Sequence, residues 1–252
     1  MNLRPLLPTL LLLSVVTIEQ AAAQNGGPER RRRHYDGNAR PYYRGPVRLT
    51  LGLGAGFYNG DITGSLGDQF VGPSVSAGLL YKFRPHWLVG GEATYFQIGA
   101  KDHIPERNLA FRGRNGSGVV FLRWEPFHDE AAYADPRSPA ALVKPYLKAG
   151  GGFLLYNPDA YLGTERPSNG TTFLGPERLD YPALTVVAPV GVGVTLRLTR
   201  QLNASIEGTY YFTATDQLDD VSPISGRAIS DKNRNDGYGL AEIKFEYAPW
   251  RR

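Results

Sequence analysis

The sequence predicts an all-β fold, an eight-stranded antiparallel transmembrane up-and-down β-barrel. Three observations carry that expectation: a long period-two alternation, connections that alternate between short and long, and aromatic residues collected at strand ends. The alternation is clearest from Leu184 to Phe212. Leu184, Val186, Ala188, Val190, Val192, Val194, Leu196 and Leu198 form one apolar row, and Leu202, Ala204, Ile206, Gly208, Tyr210 and Phe212 form the next, broken only at Thr199 to Gln201. Period two places the two rows on opposite faces of long strands. A soluble sheet turns its apolar row to a core, whereas a membrane barrel turns it to lipid and fills a polar lumen with the other.

The opening residues favour the membrane. Met1 to Ala23 holds an early Arg4, an apolar run from Leu6 to Ile18 and a small-residue Ala21-Ala22-Ala23 end, which reads as a signal segment cleaved before Gln24. That leaves an arm over residues 24–46 and a barrel over 47–250. No later stretch approaches the ~18 consecutive apolar residues of a spanning helix. A secreted chain without a cysteine excludes a disulfide scaffold and a lipidated N-terminal cysteine. With 30 Gly, 19 Pro and 12% aromatic residues, the composition suits strands and turns. The expected location is the outer membrane of a Gram-negative cell, with both termini periplasmic.

Charge is informative once divided by region. The arm holds Arg30, Arg31, Arg32, Arg33, Arg40 and Arg44 against Glu29 and Asp36, while the 206 residues that follow balance at 21 cations and 21 anions. A solvated, disordered linker is the plainer reading of such an arm. Contact with anionic lipid, peptidoglycan carboxylates or an acidic partner is the alternative.

Eight segments alternate from Val47 onward: Val47 to Tyr58, Pro73 to Phe83, Trp87 to about Ile98, about Ser117 to Trp124, Tyr146 to Tyr156, Leu184 to Leu198, Leu202 to Phe212 and Tyr238 to Tyr247. Most are long enough to cross a bilayer of roughly 30 Å at a tilt. Short turns near Arg84 to His86 and Thr199 to Gln201 belong on the periplasmic side, and longer loops outside. Pro126 to Lys144 breaks this pattern, being long on the short-turn side. Two aromatic belts follow. Tyr81, Phe83, Trp87, Trp124, Phe127, Phe245, Tyr247 and Trp250 are expected on the periplasmic side, and Phe57, Tyr58, Tyr95, Phe96, Phe153, Tyr156, Tyr210 and Phe212 on the outer side.

The inward rows carry Arg48, Lys82, Glu92, Arg123, Glu125, Lys148, Arg197, Glu207, Glu242, Lys244 and Glu246. Eight strands enclose an interior that side chains about fill, so these charges are expected to form a paired plug, with a proton or small-ion path as the alternative. Pro189 sits mid-strand and removes a ladder hydrogen bond. It predicts a bulge, or a strand that starts later than Leu184.

No catalytic, cofactor-binding or metal-ligating residues are predicted. Of His34, His86, His103 and His128, only His103 lies in an outer loop with an acid, Asp102, beside it, and nothing in the sequence brings a nucleophile to them. Asp231 to Gly237 spaces oxygen ligands like a calcium loop, but its glycine comes one place late and Lys232 and Arg234 intervene. Gly52, Gly54 and Gly56 lie inside a strand, where they narrow the wall.

Four segments carry a resemblance. Phe57-Tyr-Asn-Gly-Asp-Ile62, Arg107-Asn-Leu-Ala-Phe-Arg112, Ala149-Gly-Gly-Gly-Phe-Leu-Leu-Tyr-Asn-Pro158 and Asp216-Gln-Leu-Asp-Asp-Val-Ser222 resemble, in order and spacing, the PorG-like outer-membrane barrel family of Bacteroidota. The likeness spans residues 47–249, and the Leu-Asp-Asp-Val-Ser segment is its most specific part. It implies a non-enzymatic barrel that docks a protein secretion apparatus of the type IX kind through periplasmic ring proteins. The arm and the Pro126 to Lys144 connection have no place in the family pattern. The partner-contact candidates are Arg30, Arg31, Arg32, Arg33, His128, Asp129, Glu130, Asp219 and Asp220. Two other readings stand beside this one: outer loops that bind an extracellular ligand, and an outer-membrane hydrolase using His103 and Asp219. Outer-membrane lipid is an expected partner; nucleic acid, a small-molecule substrate and a cofactor are not.

Overall fold

The computed structural model describes residues 33–60, 63, 65–102, 108–127, 141–176, 180–220 and 235–249. A two-residue hairpin, β1 (His34–Tyr35) with β2 (Pro41–Tyr42), precedes the wall. The wall begins with β3 (Val47–Asn59), β4 (Gly72–Arg84), β5 (Trp87–Lys101), β6 (Leu109–Trp124) and β7 (Val143–Tyr156). A short strand, β8 (Pro158–Leu162), continues β7 along the upper part of β6 and lies outside the ring. The wall is completed by β9 (Ala183–Arg197), β10 (Leu202–Thr213) and β11 (Gly237–Tyr247). The eight wall strands pair antiparallel with their neighbours in chain order, and β11 pairs back onto β3, which closes the ring.

The wall turns its apolar row outward. Leu51, Val120 and Ile206 are each 64% exposed, and Leu49, Leu53, Val75, Leu79, Leu122, Leu147, Val186, Val190, Val192, Ile243 and Phe245 are exposed with them. The residues between them, among them Glu92, Arg123, Lys148, Glu207 and Lys244, are buried. An apolar belt around a closed ring has no protein surface to cover it, and hydrocarbon is the solvent that accepts it. The barrel is therefore built to span a membrane.

Two strands extend further than the alternation indicates. β5 runs on to Lys101 and β6 begins at Leu109, well before Ser117, and their outer ends pair as Gly99↔Arg112 and Lys101↔Ala110. Here the hairpin rises past the point where β7 and β9 part at Tyr156↔Ala183. Outside lipid, charged residues such as Arg112 and Arg114 no longer have to face inward, so the alternation that marks the rest of the wall disappears. β8 joins this projection and makes it three-stranded. Arg112 pairs with Asp159 at 3.0 Å and lies over the Phe173 ring, which packs edge-on against Tyr161. Burial pushes the Tyr161 phenol up to about 12, against the pull of Arg112 and Arg166.

The expected bulge at Pro189 does not form, and β9 starts at Ala183. Pro189 stays in register with Tyr211 of β10, while on the β7 side pairing lapses at Gly150 and Gly151 and resumes at Gly152↔Val187 without a shift. The missing donor is thus absorbed as a local gap in one ladder. The register irregularity of β4 sits elsewhere, between Lys82 and Arg84.

Lumen-facing glycines make room for the side chains opposite. A Cβ on Gly54 would overlap the Ala241 carbonyl and come within 2.8 Å of Glu242 Cγ, and one on Gly193 would overlap the Tyr146 ring. Overpacking of this kind typically costs about 1–3 kcal/mol. Gly193→Val is accordingly expected to lower the urea midpoint of the barrel in micelles, whereas Gly116→Val, where nothing lies within 4 Å, should leave it almost unchanged.

Candidate functional site

The lumen is stratified along the barrel axis. Its middle holds three carboxylates and two ammonium groups. Lys244 Nζ lies 2.5 Å from Glu92 Oε2, 2.8 Å from Glu207 Oε1 and 3.2 Å from Glu242 Oε2. Lys148 Nζ lies 2.8 Å from Glu207 Oε1 and 3.4 Å from Glu92 Oε1, with its charge 4.4 Å over the Phe121 ring. The hydroxyls of Tyr146 and Thr209 also donate to Glu207, and Ser74 donates to Glu242. Glu92, Glu207 and Glu242 bring oxygens within 4.8 Å of one another, close enough to hold a metal ion. The Lys244 ammonium already occupies the space between them, so the chain supplies its own cation there.

A second cluster lies toward the short turns. Arg123 donates to Glu246 at 2.6 Å, to Glu125 at 3.0 Å and to the Thr195 hydroxyl at 2.5 Å, and its guanidinium covers the Tyr146 ring at 3.7 Å. Lys82 pairs with the other Glu125 oxygen at 3.0 Å, and Asn203 donates to Glu246. Tyr146 joins the two clusters, with its hydroxyl on Glu207 and its ring under Arg123. Arg48 is half-buried and reaches the Gln201 carbonyl at 3.5 Å; Arg197 is half-buried at the end of β9, opposite Asn203. A void of about 10 Å³ beside these groups has room for a single water. Fixed opposite charges with their oxygens filled by N–H and O–H donors can stiffen a wall; they offer neither a nucleophile nor an open path.

The long-loop half of the lumen is aromatic, which the expected outer belt did not foresee. Tyr58, Phe96 and Tyr156 are buried inside with Phe111, Tyr211 and Tyr238, rather than facing headgroups. Tyr238 stacks on both Phe96 and Tyr211, each at 4.5 Å, and Tyr58 meets Phe111 edge-on at 4.7 Å. Phe57, Tyr95, Phe153, Tyr210 and Phe212 remain on the outer face. The phase of the alternation separates the two groups. Tyr58 shares the parity of Arg48, Phe96 that of Glu92, Tyr156 that of Lys148, Tyr211 that of Glu207 and Tyr238 that of Glu242, all of them inward.

Above the aromatic layer, Leu218, Asp219 and Asp220 fold into the barrel mouth. Asp219 and Asp220, expected to contact a partner, are 0% and 1% exposed and turn away from any outside surface. The buried Tyr58 hydroxyl lies 2.7 Å from Asp219 Oδ2 and 2.8 Å from Asp236 Oδ1. Asp236 accepts the Leu218 N–H, and Leu218 packs into the aromatic core. Of the other partner candidates, Arg33 is described and exposed, while Arg30, Arg31, Arg32, His128, Asp129 and Glu130 lie outside the described residues, as does His103. His86 directs Nδ1 to the Glu125 carbonyl at 2.8 Å, and His34 packs on Tyr42.

No family model matches this chain, and no curated protein does. Solved structures do match it at low identity. Neisserial surface protein A is 12% identical, with 81% of this chain and 98% of that one covered at a TM-score of 0.43. A major outer membrane protein from Thermus thermophilus is 10% identical, covering 81% and 99% at 0.44, and Ail of Yersinia pestis is 9% identical, covering 80% and 96% at 0.42.

Proposed function

We propose that this chain is a non-catalytic outer-membrane barrel that serves as a docking and anchoring component of a protein secretion apparatus of the type IX kind. The observation that carries the proposal is an interior committed to ion pairs and aromatic packing, which leaves the two ends of the barrel as its working surfaces. The four segments that resemble the PorG-like family point to the secretion apparatus, and the exposed Arg33 and its neighbours in the arm point to the periplasmic end. Crosslinking in cells followed by pull-down of the mature protein is expected to recover periplasmic ring proteins, and deletion of residues 24–44 to abolish that recovery. Absence of ring proteins at normal barrel abundance would overturn the reading. Purified protein in a planar bilayer is expected to pass no steady ion current, because the lumen is filled.

One observation favours a second reading, in which the outer face binds an extracellular ligand. The β5–β6–β8 projection is built and braced beyond the wall, through Arg112–Asp159 and the Tyr161–Phe173 contact. Under that reading, removing loop residues within 158–180 abolishes function and the arm is dispensable.

A further inference from the structure

The short-turn rim carries a charge pattern that the lumen does not use. Among the described residues of that end, Arg33, Arg40, Arg44, Arg84 and Arg200 are exposed, while Asp36, Glu125 and Glu246 are half-buried or buried. Glu125 and Glu246 are committed to Lys82 and Arg123, and Asp36 accepts the N–H groups of Asn38 and Arg40. At the opposite end the exposed charges are mixed, with Arg114 and Arg166 against Glu165 and Asp180. Among the described residues, exposed positive charge without exposed acids thus marks one rim and not the other.

These arginines are spread around the circumference. Arg44 precedes β3, Arg84 ends β4 at the β4–β5 turn and Arg200 lies in the β9–β10 turn. The ring order places four strands between the last two in either direction. A protein partner engages one side of a rim, whereas a charge repeated on opposite sides matches a flat sheet of headgroups. The level is right as well. Trp87 and Trp124 are cross-strand neighbours, their rings are 6.3 Å apart, and both face outward at 39% and 38% exposure. Indoles settle at the headgroup boundary. Arg84 pairs directly with Trp87 along β4 and β5, which puts its backbone level with that boundary, within reach of the phosphates. Guanidinium meets phosphate through two parallel N–H donors, a stronger match than a single ammonium makes.

We propose that the short-turn rim is a binding surface for anionic phospholipid, gathering phosphate headgroups around the barrel through Arg84 and Arg200. The surface needs no protein partner, so it stands apart from the docking role. The full chain is reconstituted in phosphatidylcholine bilayers that contain brominated phosphatidylglycerol or brominated phosphatidylcholine, and quenching of Trp fluorescence reads which lipid contacts the rim. A preference of about five-fold for the anionic lipid is expected at low salt, from the usual attraction between one interfacial arginine and an anionic leaflet. Salt should weaken it. R84Q/R200Q should bring the ratio close to one, R84K/R200K should keep most of it, and R114Q/R166Q at the far end should leave it unchanged. Equal quenching by the two lipids, a preference that survives R84Q/R200Q, or capture by purified peptidoglycan sacculi without any lipid preference would overturn the proposal.

Discussion

Lys244→Met is expected to destabilise the barrel by about 3–5 kcal/mol, the usual cost of removing one partner from a buried ion pair. The ammonium serves Glu92, Glu207 and Glu242 at once, so its loss leaves Glu92 and Glu207 sharing Lys148 and Glu242 with the Ser74 hydroxyl. Urea titration in micelles should show a lower midpoint, and the folded band on an unboiled gel should weaken. Adding Glu92→Gln to Lys244→Met restores the original charge difference of the cluster and should recover part of the loss. An unchanged midpoint in the single variant would mean that the three carboxylates are not confined by the wall.

Tyr58→Phe is expected to act at the mouth rather than in the wall. The hydroxyl lies between Asp219 and Asp236, and the one hydrogen bond that its proton donates to a carboxylate contributes about 1.5–3 kcal/mol. Without it, Leu218 to Asp220 lose one of their anchors while the strands keep theirs. Limited proteolysis should then cut within residues 214–236 many times faster, with the urea midpoint of the barrel shifted much less. If protease resistance persists in Tyr58→Phe, the mouth is held by Leu218 packing instead, and Leu218→Ala should open it.

The wall was legible in the sequence because lipid imposes a simple rule. Each strand must show hydrocarbon one row and hide the other, so Leu49, Leu51 and Leu53 announce the outside and Arg48 the inside. The rule fails where lipid ends. Arg112 and Arg114 face outward in the projecting part of β6, and no alternation could mark that extension. The aromatic layer is legible in parity and not in height: Tyr58, Phe96, Tyr156, Tyr211 and Tyr238 fall on the inward row of their strands. The mouth depends on tertiary contact. Nothing in Leu218-Asp219-Asp220 as a string distinguishes an exposed acidic loop from one drawn down onto Tyr58. Pro189 was legible as a missing donor but not as a harmless one, because that depends on whether a neighbouring ladder can lose a bond without slipping.

The ion pairs of the lumen are drawn from both ends of the chain and the middle: Lys82 and Glu92 early, Arg123 and Lys148 centrally, Glu207 to Glu246 late. A lone hairpin entering a bilayer would carry its half of these partners bare into oil, at a cost of several kcal/mol per ion. Assembly is therefore all or none. The polypeptide must curl and seal its first strand to its last at the surface, or under the shelter of an insertion machine, before the charged half of its wall can sink.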